Sequence, residues 1–252
     1  MPKAKVFPMR TWLRAAAAVL VLAVAAVWFL RPAETGTPLQ IAATDSARQD
    51  TLGDGSVVSL NRRSALFVSR RFNRSERRMR LQGEAHFSVK PDAQKPFIVE
   101  VEDLEVQAVG TAFNVDDFTQ QGKVVVTVTE GKVQLQTKTQ ELLLVAGEAG
   151  EYDKVRKTLR RLEKTNPNVM AYRDRVFYFQ HGTPLREVVD QLNAVYEAQI
   201  EIKSPALENC PIGKIRYENL TFEQILDKLQ ETFNFTYRKE GNTYVLEGVC
   251  EQ

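Results

Sequence analysis

Hydrophobic positions follow three successive patterns along this chain. The first apolar stretch, 12–30, carries a charge only at Arg14 near its start: from Ala15 to Leu30 it reads AAAAVLVLAVAAVWFL, without a charge or a helix breaker. With Trp12 and Leu13 it reaches the ~17–25 residues that a membrane-spanning helix needs. From Ala42 to Leu162 the apolar residues come instead in short runs, at 56–60, 78–81, 85–89, 97–101, 106–109, 112–115, 123–129, 132–136 and 142–145. These runs are rich in Val, Phe and Leu, are bounded by Gly, Asp or Asn, and show no helical period, so they predict strands joined by tight turns. From Val176 the period switches again. After a strand at 176–179, Thr183-Pro184 offers a cap and a first-turn proline, and Leu185, Val188, Val189, Leu192 and Val195 share one helical face. A strand at 199–202 closes that unit, and the unit recurs. Strand 215–217 precedes a capping box at Thr221 and Gln224, with Leu220 and Ile225 as a hydrophobic staple and Ile225, Leu226, Leu229 and Phe233 as the buried stripe. Strands 235–238 and 243–246 follow, around Gly241-Asn242.

Val188-Val189-Asp190-Gln191-Leu192 aligns with Ile225-Leu226-Asp227-Lys228-Leu229. Residues 165–252 are therefore predicted to form a small α+β domain of two βαβ halves. Residues 42–164 are predicted to be an all-β domain, for which a sandwich, a barrel and a short irregular β-solenoid all fit. A loose echo runs through them, in which Gly83, Gly110, Gly131 and Gly147 each precede a small or branched residue and then a new strand. These glycines are expected to supply the backbone conformations of the turns.

Charge around the first apolar block sets its expected orientation. Lys3, Lys5, Arg10 and Arg14 precede it, so the positive-inside bias keeps a tail of residues 1–14 in the cytoplasm and sends the body across the membrane. The expected anchor is a helix over 15–31, marked by Trp12, Ala15, Leu22, Trp28 and Leu30, with the tryptophans at the interfaces and a Pro/Gly/Thr tether over 32–41. Two rival readings fit the segment less well. A secretory signal lacks its small-residue cleavage pattern here, because the block ends Trp28-Phe29-Leu30-Arg31-Pro32. A buried core helix conflicts with a segment that is apolar all round.

Composition narrows the chemistry. The 252 residues carry 26% charged side chains and a formal net charge of +2, which implies no nucleic-acid partner. Arg62 to Arg80, with Phe67 and Phe72 interleaved, reads as a solvated hairpin. The only cysteines, Cys210 and Cys250, fall in the exported part, where an oxidising compartment permits a disulfide; two buried thiols are the other reading. His86 falls in an alternating strand and His181 in a turn, neither with metal-ligand spacing. Asp116-Asp117 and the group Glu100, Glu102 and Asp103 read as solvated charge. No nucleophile elbow, phosphate loop or dinucleotide fingerprint occurs, so neither an enzyme nor a cofactor is expected.

Four ordered blocks carry a family resemblance: 52–61 as LGDGSVVSLN, 81–87 as LQGEAHF, 106–115 as VQAVGTAFNV and 126–135 as VTVTEGKVQL. They resemble the periplasmic domain of FecR-type transmembrane anti-sigma regulators, with Asp54, Gly55, Leu60, Gly83, Glu84, Gly110, Thr111, Phe113 and Gly131 as motif positions. The part from Val176 onward is similar to the carboxyl-terminal domain of Bacteroidetes members, related in shape to the short N-terminal domain of secretins and TonB-dependent receptors. The resemblance implies a single-pass inner-membrane protein with a periplasmic body. Its implied partners are the signalling domain of a TonB-dependent outer-membrane receptor and an extracytoplasmic-function sigma factor. Residues 1–14 are too short to fold as the sigma-binding domain, so that contact is expected through a missing domain or another subunit. The alternative function is a membrane-tethered structural or assembly component of an envelope complex.

Overall fold

The computed structural model describes residues 39–118, 122–196, 198–233 and 235–250; the expected tail, anchor and most of the tether lie outside these residues. Among the described residues no helix is long and apolar enough to cross a membrane.

Fourteen strands come first: β1 Leu39–Ala43, β2 Arg48–Thr51, β3 Val57–Leu60, β4 Ser64–Val68, β5 Arg77–Gln82, β6 Glu84–Ser88, β7 Phe97–Val101, β8 Leu104–Ala108, β9 Ala112–Asp116, β10 Lys123–Glu130, β11 Lys132–Gln136, β12 Glu141–Val145, β13 Ala149–Asp153 and β14 Thr158–Arg161. They build two seven-stranded sheets, β1-β4-β5-β7-β8-β11-β12 and β2-β3-β6-β9-β10-β13-β14. Alternate residues of both sheets point into one core, including Leu66, Met79, Phe97 and Val106 from the first and Leu60, Phe87, Phe113 and Val126 from the second. Phe87 stacks on Phe113 at 5.3 Å and meets Phe97 edge-on at 5.7 Å, so aromatic contacts cross between the sheets. The architecture is thus a sandwich rather than a barrel.

Strand numbers rise in one direction along each sheet, so the chain advances along the sandwich as a solenoid does, although neighbours are antiparallel apart from β5 and β7. All four echo glycines stand at corners where the chain passes from one sheet to the other. Gly83 is the tightest. It has φ 91°, and a Cβ there would lie 2.6 Å from Ser64 Oγ.

Two expectations need correction. The tether does not extend to Ile41: β1 begins at Leu39, and Ile41 is buried opposite Leu66. The arginine-rich stretch is not simply a solvated hairpin, since β4 and β5 turn Leu66, Val68, Met79 and Leu81 into the core and Arg77 is 1% exposed.

The C-terminal part comprises α1 Ala171–Asp174, β15 Val176–Phe179, α2 Leu185–Tyr196, β16 Gln199–Ile202, α3 Pro205–Glu208, β17 Ile215–Glu218, α4 Phe222–Phe233, β18 Thr236–Glu240 and β19 Thr243–Glu247. Helices α2 and α4 bury their predicted stripes in a second core. At α4 the capping box forms: Gln224 N–H donates to Thr221 Oγ1 (3.2 Å) and Thr221 N–H to Gln224 Oε1 (2.9 Å). At α2 the expected cap does not form. Thr183 Oγ1 donates to the Gln180 carbonyl (2.8 Å), and the first helical N–H, of Leu185, is satisfied by the Cys210 carbonyl (2.9 Å).

Strand–helix–strand order recurs as expected, but the two halves are not βαβ units. β15 pairs antiparallel with β17, the first strand of the other half, while β16 runs parallel to β19, which also pairs with β18. Each half therefore divides its strands between two small sheets. Asparagines close two of the edges. Asn168 Oδ1 accepts from Tyr178 N–H (2.6 Å) and its Nδ2 donates to Tyr178 O (3.0 Å), and Asn193 does the same for Ile200 of β16 (2.9 and 3.1 Å). The Cys210–Cys250 disulfide ties the region after α3 to the chain beyond β19.

Candidate functional site

Outward-facing residues of a sandwich are ordinarily wet, but those at the centre of the second sheet are not. Its register aligns Ser59, His86, Asn114 and Thr127 in one row across β3, β6, β9 and β10, and all four are buried. On the outer face of the first sheet the corresponding positions are long and charged, such as Arg78, Glu100 and Glu105. Short polar side chains across the second sheet leave room for a cover, and α1 provides it. Ala171 belongs to the C-terminal core, whereas its neighbours reach the sandwich. The Tyr172 hydroxyl donates to Ser59 O at 3.0 Å, with Asn114 Oδ1 at 3.3 Å, and Arg173 Nη1 lies 3.2 Å from His86 Nδ1.

Beside this row Glu84 and Asp116 stand directly opposite each other on β6 and β9. Glu84 accepts from Asn61 Nδ2 at 2.7 Å and from Asn114 Nδ2 at 2.8 Å, one on each carboxylate oxygen. Next to Asn61, Arg62 at the β3–β4 corner donates to the Val195 carbonyl (2.8 Å) and to that of Ala194, at the negative end of α2. Arg175 reaches the same Val195 carbonyl at 3.4 Å and stacks on Tyr196 at 4.7 Å. Tyr172, Asn114, Glu84, Asn61 and Arg62 thus form one chain of contacts linking both anchoring points of the C-terminal part to the sandwich. Tyr172, Asn114, Glu84 and Asn61 border a cavity of about 370 Å³, also lined by Asp116, Lys164, Asn168 and Gln191.

Electrostatics follow from enclosure. Burial, and then the Asp116 charge, push Glu84 up to about 7, against the hydrogen bonds from Asn114 and Asn61. Burial also raises Asp116 and Asp117, and Asp117 is paired with Lys154, so the reading of Asp116-Asp117 as solvated charge fails for both. His86 moves the other way, down to about 4, through burial and then Arg173. Burial raises the Tyr172 hydroxyl, which stays protonated as a donor. The arrangement joins the sandwich core to the C-terminal core. Among the described residues no cluster of three or more His, Cys, Asp and Glu side chains is placed to hold a metal ion.

The motif positions separate into two groups. Glu84 lies in the joint. Asp54 lies at the opposite end of the strands, where it accepts from Ser56 N–H (2.9 Å), Ser56 Oγ (2.6 Å) and Arg77 Nη1 (2.9 Å). Arg77 also donates to the carbonyls of Lys95 (2.8 Å) and Lys90 (2.7 Å), tying together the loops at that end. Gly55, Gly83 and Gly131 have left-handed backbones, Gly110 abuts Pro91, Thr111 is buried, and Leu60 and Phe113 are core. Asn61, Asn114 and Tyr172 were not singled out in the sequence; the only signal was the run of short polar residues at outward strand positions.

A sandwich leading into a small α+β domain places this chain in a structural class already represented in crystals. Two crystal structures of a candidate anti-sigma factor from Parabacteroides distasonis superpose with TM-scores of 0.65 and 0.64 at 26% identity, covering 84% of this chain and 99% of theirs. The family description "FecR protein" matches residues 40–134 and "FecR, C-terminal" matches 176–246. The chain belongs to the FecR family, which is regulatory rather than enzymatic. No curated protein matches it.

Proposed function

We propose that this chain is the periplasmic sensing part of a transmembrane anti-sigma regulator, relaying the state of a TonB-dependent outer-membrane receptor to an extracytoplasmic-function sigma factor. In this reading residues 15–31 hold it in the inner membrane and the sigma factor is contacted through another segment or subunit. The observation that carries the reading is the continuous polar network of the joint, because a partner that strains the C-terminal part acts on the sandwich through Tyr172 and Arg62. The Cys210–Cys250 bond supports an oxidising compartment for the body.

Edge-strand pairing is the docking mode that needs no catalytic side chain. Asn168 and Asn193 occupy backbone groups of β15 and β16, whereas β18 ends its sheet with no such clamp among the described residues. Its two-residue turn to β19 makes Glu240 and Thr243 the first hydrogen-bonded pair, so the Lys239 N–H is directed outward. Titrating the receptor's signalling domain onto the full chain tests this. Lys239→Pro should weaken binding by about tenfold or more while circular dichroism stays unchanged. Unaltered affinity in a folded Lys239→Pro protein rules out β18 as the docking edge.

A further inference from the structure

Two titratable groups on β6 respond in opposite directions to being covered. His86 Nδ1 faces the Arg173 guanidinium at 3.2 Å; guanidinium only donates, so the imidazole nitrogen must accept and the ring must be neutral. Asp174, the other charged residue of α1, pulls the opposite way more weakly. Glu84 faces Asp116 from β9, the amides of Asn61 and Asn114, and Arg62 from the β3–β4 corner. Lys164, from the connecting segment, is the remaining charged group lining the cavity. Two carboxylates set directly opposite each other and half-buried at the cavity wall repel one another, which favours the pair holding a proton.

The geometry points to a proton exchange built into the joint: as α1 closes over the second sheet, His86 gives up a proton and Glu84 takes one up, so that closure is nearly neutral in protons. With the joint open, both groups meet water and titrate near their ordinary values, 6.5 for His86 and 4.5 for Glu84. Glu84, raised on closing, favours closure in acid and withdraws that contribution as pH climbs through about 7. His86, lowered on closing, favours closure above its ordinary value and withdraws it as pH falls through about 4. Over roughly pH 5 to 6.5 the two slopes oppose and cancel. A joint of this kind is indifferent to mild acidity, which leaves a bound partner as what moves it. That consequence rests on the regulatory reading; the exchange itself does not.

The test uses the full chain and no partner. Amide protection over residues 168–175, corrected for intrinsic exchange, reports closure. In the wild type it should change by less than about threefold between pH 5 and 6.5. Glu84→Gln should unmask His86 and lose protection by about tenfold or more as the pH is lowered to 5. His86→Gln should unmask Glu84 and lose a similar factor as pH is raised from 5 to 7.5. Tyr172→Phe should lower protection at every pH without changing the slope. The chain has two histidines, so the His86 ring signal is easily assigned by nuclear magnetic resonance. Its midpoint, with that of the Glu84 carboxyl, decides the matter if a variant unfolds. Wild-type pH profiles in both variants, or closed-joint midpoints near the ordinary values, would overturn the exchange.

Discussion

Arg77 and Asp54 show how one residue pair organises an end of the sandwich. Both side chains are almost wholly buried, at 1% and 4% exposure, and their ion pair is completed by Ser56 and by carbonyls of the neighbouring loop. Burial alone would raise the Asp54 carboxyl, but the hydrogen bonds from Ser56 and Arg77 together outweigh it and hold the group below its ordinary value. A depressed carboxyl contributes stability above its unfolded value and loses it as pH falls through the folded one. Asp54→Ala should therefore cost about 3–5 kcal/mol at neutral pH, since it strands the Arg77 charge away from water. The deficit should shrink in acid, where the wild type loses the same contribution. Urea unfolding at pH 7 and pH 3 measures both. Equal stability of Asp54→Ala and wild type at pH 7 contradicts the assignment. The motif was legible in the sequence, but the arginine was not: Arg77 is one of several arginines in the stretch, and it faces inward as the first member of the β5 alternation with Met79 and Leu81.

Among the elements, most strands whose alternate positions fill the core were legible, β1 and β4 being exceptions. β7 and β11 match their predicted limits because Phe97, Val99, Val133 and Leu135 are fully buried. β2 and β14, which end their sheet, read RQDT and TLRR and carry almost no apolar signal. β13 reads AGEYD, and Gly150 there packs under the leucines of the other sheet, where a Cβ would lie 2.9 Å from Leu135 Cδ1. Helices α2 and α4 were legible from their stripes, whereas the exchange of strand partners between the halves was not, since it depends on contacts distant in sequence. The disulfide acts at this scale. Closing a separation of 40 residues contributes roughly 3–4 kcal/mol in the chain-entropy account. Reduction should lower the melting temperature of the C-terminal part and leave the sandwich transition in place. A single transition that reductant does not move contradicts this.

At the scale of the whole molecule, the joint could not be read from sequence because its residues converge from far apart: Tyr172 meets Ser59 across 113 positions and Arg62 meets Val195 across 133. Glu84 was visible as a motif position, yet nothing local marked it as the centre of an interdomain network. The central claim is that the C-terminal part receives the partner and the joint transmits its state. Calorimetric titration of the receptor's signalling domain onto the full chain, and onto the chain ended at residue 164, tests it most directly. The account predicts micromolar binding to the full chain and none to the shortened one. Equal binding by both, with the shortened chain folded, would make the sandwich the sensor and contradict the claim.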